Sequence, residues 1–441
     1  MTATAPAPPT GDLLDELRDW LAANWDPDLT VGAWWERLGL AGWAAPLLPA
    51  DRYGRAVSRP DALRVAQAIA DHGALGGPVG MGVSLAAPTI VTHGAPDQAE
   101  RYVRDIVTGR IGWCQLFSEP GAGSDLAGLA TRAERDGDVW VVNGQKVWTS
   151  GGHLADLGML LARTDPTAPK HQGITWFAID MRQPGIEVRP LRQMTGDASF
   201  SEVFFTDATV PDGSRIGAVN DGWSVANTTL AYERAGMGAG GNAGPAGLAA
   251  RPGTVAGDLD RRAGDLVRAT PARPRPEGAG AGRASPARQY IDLARSAGRD
   301  RDPAVRQRLA RAHTLGELRR MTTERHKAVR AAGGDIPGVA NFSKLLVAQI
   351  LRLNRDLGLQ LLGARGMLHG YDAGQRRALD EAVDGRPAHA VTSQALQAQA
   401  LPIFGGTDQI QRNIIAERVL GLPKEPADLS RVPFNQLPRN G

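Results

Sequence analysis

Over the first hundred residues, apolar side chains recur every three or four positions, which is the spacing of one face of an amphipathic helix. The clearest runs span residues 12–23, 60–71 and 97–108, and the last two begin with the Pro or Asp that often starts a helix. Residues 73–87 are rich in small side chains, which suits either a close approach of helices or the wall of a pocket. We therefore predict a helical N-terminal domain over residues 1–112.

Beyond this region the apolar positions alternate with polar ones, which is the period of a half-buried strand. Strands are predicted over residues 173–181, 186–194 and 200–206. Asp-Gly at 136–137 and Asn-Gly at 143–144 flank the apolar run 139–142, and both dipeptides are strong signals of a tight hairpin turn. The pattern indicates an all-β middle domain over residues 113–220.

The helical spacing returns after Asp221. Helices are predicted over residues 223–237, 303–332, 341–362 and 408–420. Helices of this length with short connections favour a bundle, which is the prediction for the C-terminal domain, residues 221–441. Residues 240–286 differ because Ala, Gly, Pro and Arg dominate there, so we expect a flexible segment whose middle, 270–285, is a mobile loop.

Length and composition exclude several classes of protein. A chain of 441 residues that is 42% hydrophobic can bury a core in each of two to three domains. Its formal charge is only +3, and its Arg residues are scattered rather than collected in a patch, so nucleic-acid binding is not indicated. The single Cys114 rules out a disulfide framework and fits a reducing cytoplasm.

Metal binding and membrane insertion are not indicated either. The eight His residues show no spacing typical of a metal site, so no metal is predicted. The first ten residues carry neither the positive charge nor the apolar stretch of a signal peptide. No run of about 18 apolar residues is present to cross a bilayer. We therefore expect a soluble, cytoplasmic protein.

Two stretches carry most of the chemical information. The first reads WCQLFSEPGAGSD over residues 113–125 and VNGQKVWTSGG over 142–152, and it combines a loop of small residues with an aromatic followed by two hydroxyls. The second reads IFGGTDQIQRNIIAERVLGL over 403–422, where two glycines lead into a helix start that favours a phosphate or ribose oxygen. A tight turn, or a capped helix without a ligand, would explain each part taken alone.

Together the two strings resemble the acyl-CoA dehydrogenase family, and the order of helices, sheet and helices extends the resemblance over nearly the whole chain. The resemblance implies an α+β multidomain fold with an N-terminal α-helical domain, a middle antiparallel β-barrel-like domain and a C-terminal four-helix bundle. It also implies FAD as cofactor and dehydrogenation of a saturated acyl-CoA thioester to the trans-2-enoyl-CoA. That chemistry needs a base for the α proton, donors that polarise the thioester carbonyl and a flavin whose N5 accepts hydride.

The resemblance also assigns candidate binding residues. Six would flank the flavin ring and three would contact adenosine, in the order Gln115, Phe117, Ser118, Trp148, Thr149 and Ser150, then Thr407, Asp408 and Gln409. Trp148 could instead be an ordinary core residue of the hairpin. Ser124 matches a position that contacts the CoA part of the substrate. Gln360 and Ala364 match a helix end that reaches a neighbouring subunit's flavin, and a plain glycine terminus explains that sequence nearly as well.

Besides the Ala-, Gly-, Pro- and Arg-rich segment 240–286, two places depart from the family pattern. Relatives often carry an Arg-x-x-Phe-Gly motif that grips the FAD diphosphate of a partner subunit, whereas residues 294–299 read ARSAGR, so Arg295 or Arg299 would have to substitute. In the N-terminal domain, Arg55 stands where relatives have the second Gly of a Tyr-Gly-Gly turn. If that turn needs a positive φ, either Arg55 is strained or the loop is rebuilt.

The catalytic base is the position on which activity depends. Many family members have a Glu where this chain has Gly405, and a smaller group carries the Glu on another helix, at a position that matches Glu233. A Glu-Arg pair in a helix is by itself usually a surface or structural ion pair. Because Gly405 leaves the first position empty, we predict that Glu233 removes the α proton and that Arg234 orders the site or the phosphates of the substrate.

The resemblance further implies partners. An electron-transfer flavoprotein would accept the electrons, as in fatty acid β-oxidation and related lipid metabolism. The chain would form a homodimer, a homotetramer or a hetero-oligomer with a related subunit. Two alternatives stay open: a non-autonomous subunit that contributes only part of an FAD site, or a flavin oxidase or monooxygenase on the same scaffold.

Overall fold

The computed structural model describes residues 12–238, 258–269, 287–382, 388–424 and 429–437. These residues form two compact units. The first contains the described residues of Met1–Leu191, Ser199–Ala272 and Leu429–Gly441. The second contains the described residues of Arg192–Ala198 and Arg273–Asp428.

Helices make up the N-terminal part of the first unit. They are α1 (Leu13–Asn24), α2 (Val31–Leu40), α3 (Arg59–Asp71), α4 (Ala87–His93) and α5 (Pro96–Val107). The three helices predicted from the sequence are confirmed as α1, α3 and α5, within one residue at each end. A π-helical turn, Gly82–Ala86, leads into α4, and a Cβ on Gly82 would lie only 3.1 Å from the ring of Trp113. The small residues of this stretch therefore serve a close approach of the chain to β-sheet residues.

Two further helices lie in the described part of the first unit. On α6 (Gly222–Gly238), the Thr229 hydroxyl lies 3.0 Å from that of Thr89 on α4, which fixes the two helices side by side. The short α7 (Ala263–Ala269) falls within the segment expected to be flexible, and just before it Arg261 accepts a hydrogen bond from the Val31 N–H at 2.8 Å. The remainder of that expected segment lies outside the described residues.

Within the described residues, the middle of the chain forms one eight-stranded sheet. Its strands are β1 (Trp113–Leu116), β2 (Arg132–Asp136), β3 (Val139–Ser150), β4 (Leu157–Arg163), β5 (Ile174–Asp180), β6 (Ile186–Leu191), β7 (Phe200–Pro211) and β8 (Arg215–Ile216). The spatial order is β6-β7-β3-β2-β4-β5-β8, with β1 beside β4. The pairings β1–β4 and β2–β4 are parallel and the others are antiparallel.

Both faces of the sheet are covered, as β5 shows. Trp176 packs in the core shared with α4 and α5, whereas the next residue, Phe177, packs in a second core on the opposite face. Such a strand reads as a continuous apolar run rather than as an alternation, because neither face is in water. The sheet therefore provides a rigid base for the loops that leave its strand ends.

The predicted hairpin is confirmed at its first turn and wrong at its second. β2 and β3 pair across Gly137, which has a φ of 59°. The chain does not turn at Asn143-Gly144, because β3 continues to Ser150 with a bulge in its pairing with β7. Gly144 has a φ of 151°, and a Cβ on it would lie 2.7 Å from the Cα of Thr131. A close backbone approach at a bulge, not a turn, requires this glycine.

The second unit is helical. It contains α8 (Arg288–Ser296), α9 (Pro303–Ala331), α10 (Val339–Leu362), α11 (Ala373–Ala382), α12 (Ala388–Gln397) and α13 (Asp408–Ile414). α10 is central and packs against α8, α9, α12 and α13. The helix predicted to run to residue 420 ends earlier, since α13 stops at Ile414 and continues as a π-helical turn, Ile415–Val419.

Candidate active site

The candidate site lies where β1 ends and the 117–131 loop begins. The N–H of Val147 on β3 donates to the carbonyl of Ser118 at 2.9 Å. The ammonium group of Lys146 donates to the carbonyl of Phe117 at 3.0 Å and to Oε1 of Glu119 at 2.8 Å. The two parts of the first sequence string thus lie side by side, as one platform.

Glu119 also closes the far end of this loop. Its carboxylate oxygens accept the N–H of Ala130 at 2.7 Å and the N–H of Thr131 at 2.9 Å. Burial opposes the charge on Glu119, but Lys146 and these N–H groups hold the pKa of its carboxyl below the ordinary value. Burial lowers the pKa of Lys146, and the neighbouring carboxylate counters that effect. Sequence reasoning missed this pair because burial cannot be read from either residue alone.

Trp148 is the most unusual residue of the platform. It has a φ of 62°, a left-handed conformation that is rare for a bulky residue, and it sits at a second irregularity in the pairing of β3 with β7. Its side chain is 56% exposed and meets the ring of Phe200 edge-on at 5.8 Å between centroids. The strained backbone therefore holds an indole out at the surface, which excludes the alternative that Trp148 is a core residue.

The two hydroxyl residues that follow differ in their surroundings. Ser150 is half-buried, whereas Thr149 is fully buried beside Ser201 on β7. The Thr149 hydroxyl has no hydrogen-bond partner among the described residues. Its side chain faces the interior, so only its backbone can contact a ring that covers Trp148 and Ser150.

This surface fits a flavin. The exposed indole supplies a flat apolar face, and the side chains of Gln115, Ser118 and Ser150 supply polar groups within the same platform. A heteroaromatic ring system with polar edges needs both kinds of contact. When FAD is bound, Trp148 and Ser150 would hold one side of the ring, with Gln115 and Ser118 beside it. The Phe117 side chain is buried in the core, so only its backbone could contact the ring.

Helix α6 brings the predicted base to this platform. The side-chain amide of Gln115 donates to Oε2 of Glu233 at 3.3 Å, across 118 positions of sequence. Glu233 follows the buried Thr229 by one helical turn and is half-buried, while Arg234 is exposed. The carboxylate therefore lies on the inner face of α6, at the end of β1, and Arg234 does not share that face.

Ser124 is exposed at the tip of the 117–131 loop. The next residue, Asp125, forms an ion pair with Lys170 at 2.7 Å. A hydroxyl at an exposed loop tip is available to a ligand that reaches over the platform, and this is the place expected for the CoA part of the substrate.

The predicted adenosine segment belongs to the second unit. Thr407 caps α13 by accepting a backbone N–H with its hydroxyl at 3.2 Å. The carboxylate of Asp408 is buried, with Lys344 at 3.5 Å and Arg352 in direct contact. Gln409 is exposed. The Asp408 carboxylate is thus occupied by two cations of its own unit, which leaves Gln409 and the Thr407 hydroxyl as the accessible groups.

Gly405 carries no carboxylate, and its backbone has a φ of 64°. Its carbonyl accepts a hydrogen bond from Gln411 at 3.1 Å, and the carbonyl of Gly406 accepts one from Lys344 at 2.5 Å. The two-glycine turn is therefore held in a left-handed conformation that favours glycine over any residue with a side chain.

Gln360 and Ala364 lie at the end of α10. The side chain of Gln360 accepts a hydrogen bond from Arg308 on α9 at 2.7 Å. Ala364 is exposed in the turn that follows Leu362. Both positions stay candidates for contact with a neighbouring subunit.

The two candidate diphosphate ligands differ in what they already contact. Arg299 pairs with Asp302 at 2.6 Å, and Asp302 caps α9. Arg295 lies on the exposed face of α8, with only a long contact of 3.4 Å to Asp292. Arg295 is therefore the better candidate of the two.

Three observations bear on other kinds of site. Cys114 is buried, and burial raises the pKa of its thiol to about 12. Among the residues described, no three His, Cys, Asp or Glu side chains form a group that could hold a metal. None of the helices in the described part of the chain has the length and apolar character that crossing a membrane requires.

Three family models match the sequence. They describe acyl-CoA dehydrogenases: the N-terminal domain over residues 13–110, the middle domain over 114–208 and the C-terminal domain over 279–420. These ranges take in most of the chain, so the predicted α+β fold, with helical N- and C-terminal parts around a middle sheet, is confirmed.

Two relatives from Mycobacterium tuberculosis are similar over most of this chain. Acyl-CoA dehydrogenase FadE34 is 38% identical over 383 residues, which cover 87% of this chain and 45% of the relative. Acyl-CoA dehydrogenase IpdE1 is 36% identical over 396 residues, covering 89% of this chain and 88% of the relative. The chain thus spans less than half the length of FadE34 and most of the length of IpdE1.

Solved structures share the fold. The Tcur3481-Tcur3483 steroid ACAD matches with a TM-score of 0.63 at 24% identity, covering 94% of this chain and 97% of that chain. The ChsE4-ChsE5 complex from Mycobacterium tuberculosis matches with a TM-score of 0.60 at 24% identity, covering 96% and 100%. At this level of identity the likeness supports the fold alone.

Proposed function

The chain belongs to the acyl-CoA dehydrogenase family of oxidoreductases, and on that premise we propose that it oxidises a saturated acyl-CoA thioester to the trans-2-enoyl-CoA. FAD is the cofactor of this proposal and Glu233 its base. The observation that carries it is the 3.3 Å hydrogen bond between Glu233 and Gln115, a residue of the platform that is proposed to hold the flavin. Of the two positions where the family carries its Glu, this chain has Gly at 405 and Glu at 233.

Residues of this chain would remove the α proton and hold the substrate. The Glu233 carboxylate takes the proton from Cα, and the Gln115 amide fixes the orientation of that carboxylate. FAD held by the platform would supply the acceptor for the hydride from Cβ, so that loss of the Cα proton to Glu233 and of the Cβ hydride would leave the Cα–Cβ double bond. Ser124 contacts the CoA part, which holds the acyl chain so that its Cα meets Glu233.

Electron-transfer flavoprotein is the proposed acceptor of the electrons, and the proposed assembly is an oligomer. FadE34 is about twice as long as the matched region, and one of the similar solved structures is the ChsE4-ChsE5 complex, which together support a second subunit for this chain.

A non-autonomous subunit is the second candidate function. One observation favours it: the region that would grip the partner's FAD diphosphate lacks the aromatic residue of the family motif, and Arg299 there already pairs with Asp302. Such a subunit would bind FAD only when combined with its partner.

The experiment is a spectrum of the purified chain followed by anaerobic addition of thioesters. The panel contains straight-chain, branched and steroid side-chain acyl-CoAs. The main proposal predicts bound flavin that is bleached by at least one thioester. A colourless protein that acquires flavin only with a related subunit supports the second candidate. If the bound flavin is bleached by a reduced nicotinamide but by none of the thioesters, the dehydrogenase proposal is overturned in favour of an oxidase or monooxygenase.

A further inference from the structure

A distant segment of the chain packs on the same unit as the candidate site. The 429–437 segment consists of two short turns, Leu429–Arg431 and Phe434–Gln436. Its backbone is tied to the loop that follows β4, because the N–H of Phe434 donates to Ala168 and the N–H of Asn435 donates to Pro166, both at 2.9 Å.

The contact continues inward through one side chain. The guanidinium of Arg163, at the end of β4, stacks on the ring of Phe434 at 3.9 Å from the centroid. Arg163 is only 3% exposed, and burial lowers its pKa to about 10. Its Nη2 donates to the carbonyls of Ala127 at 2.6 Å and Leu129 at 3.3 Å. Arg163 therefore joins the 429–437 segment to the 117–131 loop.

A second tie holds the same loop nearer its tip. Lys170 donates to both carboxylate oxygens of Asp125, at 2.7 and 2.9 Å, and the carbonyl of Lys170 itself accepts from Nη1 of Arg163 at 2.7 Å. Asp125 is 63% exposed, so this ion pair alone contributes little. The buried Arg163 contacts are the stronger restraint, since they are shielded from water.

We propose that Phe434 and Arg163 are positioning residues, which hold the 117–131 loop in the conformation in which Ser124 binds the CoA part of the substrate. The inference rests on the proposed function, because that function assigns the CoA contact to Ser124. The Phe434 ring covers the face of the guanidinium and keeps water from competing for the Ala127 and Leu129 carbonyls. Removing the ring loosens the part of the loop around Ala127 and Leu129, and it changes no residue of the platform and leaves Glu233 in place.

The test compares three variants with the wild type. Phe434→Ala removes the ring, and Phe434→Trp restores an aromatic face. Phe204→Ala is the matched control, because Arg189 on β6 lies over the ring of Phe204 on β7 at 4.4 Å from the centroid. KM and kcat are measured with the best thioester, and binding of free CoA is measured by calorimetry.

We expect Phe434→Ala to raise KM and the Kd for CoA about ten-fold, the scale of one lost cation–π contact and the hydrogen bonds it shields, with kcat and flavin content unchanged. In Phe434→Trp, KM and the Kd for CoA should lie within about two-fold of the wild-type values. In Phe204→Ala, both constants should equal those of the wild type. Unchanged KM and Kd in Phe434→Ala, or an equal rise in Phe204→Ala, would overturn the proposal.

A readout without substrate separates this inference from the proposed function. Trypsin cleavage after Lys170 should be faster in Phe434→Ala than in Phe204→Ala, because the loop that follows β4 loses its cover. A wild-type chain that binds no CoA and whose flavin no thioester reduces would refute the proposed function. Equal cleavage rates in the two variants would instead refute the positioning role itself.

Discussion

Replacement of Lys146 by Met tests whether the buried ion pair holds the platform together. Lys146 is fully buried and the Glu119 side chain is 8% exposed, with 2.8 Å between Nζ and Oε1. At an effective dielectric constant of about 20, two unit charges at that distance attract by about 6 kcal/mol, which the desolvation of both ions largely offsets. Lys146→Met removes the attraction and leaves the Glu119 carboxylate buried. We expect the free energy of unfolding to fall by about 4 kcal/mol at neutral pH.

The penalty should depend on pH. In the wild type the pKa of Glu119 is held below its ordinary value. The ionised carboxylate therefore stabilises the fold fully above the ordinary Glu pKa, and this stabilisation is lost as the pH falls through the lowered pKa of the folded state. In Lys146→Met, burial without a partner raises the pKa of the Glu119 carboxyl. Protonation removes the buried charge, so the variant regains stability as it takes up a proton. The difference in stability between wild type and variant should therefore shrink as the pH falls, beginning above the ordinary Glu pKa of about 4.3, where the variant takes up its proton, and continuing through the lowered pKa of the wild type.

The assay is urea unfolding followed by Trp fluorescence, because all ten Trp residues lie in the first unit. Lys170→Met is the matched control, since it breaks a Lys–Asp pair whose carboxylate is 63% exposed and should cost less than about 1 kcal/mol. The double variant Glu119→Gln/Lys146→Met should recover most of the loss. A loss in Lys146→Met no larger than in Lys170→Met, or one independent of pH, would refute the reasoning.

Three further predictions concern the strained Trp148, the ion-paired Asp408 and the buried Cys114. Trp148→Gly should stabilise the flavin-free chain by about 1 kcal/mol by relieving the positive φ, and it should weaken FAD binding in equilibrium dialysis; retained affinity would count against the platform. Asp408→Asn should lower the free energy of unfolding by about 3 kcal/mol by circular dichroism, because Lys344 and Arg352 lose their partner; an unchanged free energy would contradict this. Cys114 should not react with a thiol reagent at about pH 8 until the chain unfolds, and prompt reaction would show that it is accessible.

Local periodicity was enough to predict much of the secondary structure. The helices α1, α3 and α5 were located within one residue because their apolar stripes and start signals are properties of contiguous sequence. Gly144 was misread because the reason for its glycine lies in Thr131, on a neighbouring stretch that the local pattern does not include.

Arg55, where the N-terminal domain departs from the family pattern, also shows that local sequence does not reveal contacts with distant residues. Arg55 does not take a positive φ; instead Tyr53 and Ala56 do, at 59° and 51°. The freed Arg55 side chain stacks on Trp43 at 3.6 Å and pairs with Glu16. Arg55 is thus not strained, which removes the first of the two alternatives that the sequence posed.

The candidate site was predicted in part. The first family string located Gln115, and the family's alternative position for the base located Glu233; the structure brings these two together. The strings also contain Lys146, but its role depends on complete burial, which no motif states. Arg163 and Phe434 lay beyond prediction, because they come from separate parts of the chain and meet only in the folded unit.

Flavin reduction in Glu233→Gln tests the central claim most directly. The wild type, Glu233→Asp and Glu233→Gln are mixed anaerobically with the best thioester, and flavin bleaching is followed in a single turnover. Loss of a general base predicts a rate about 1,000-fold lower in Glu233→Gln, with FAD content unchanged and partial activity in Glu233→Asp. Bleaching of Glu233→Gln at the wild-type rate would show that another group removes the α proton, and it would contradict the account.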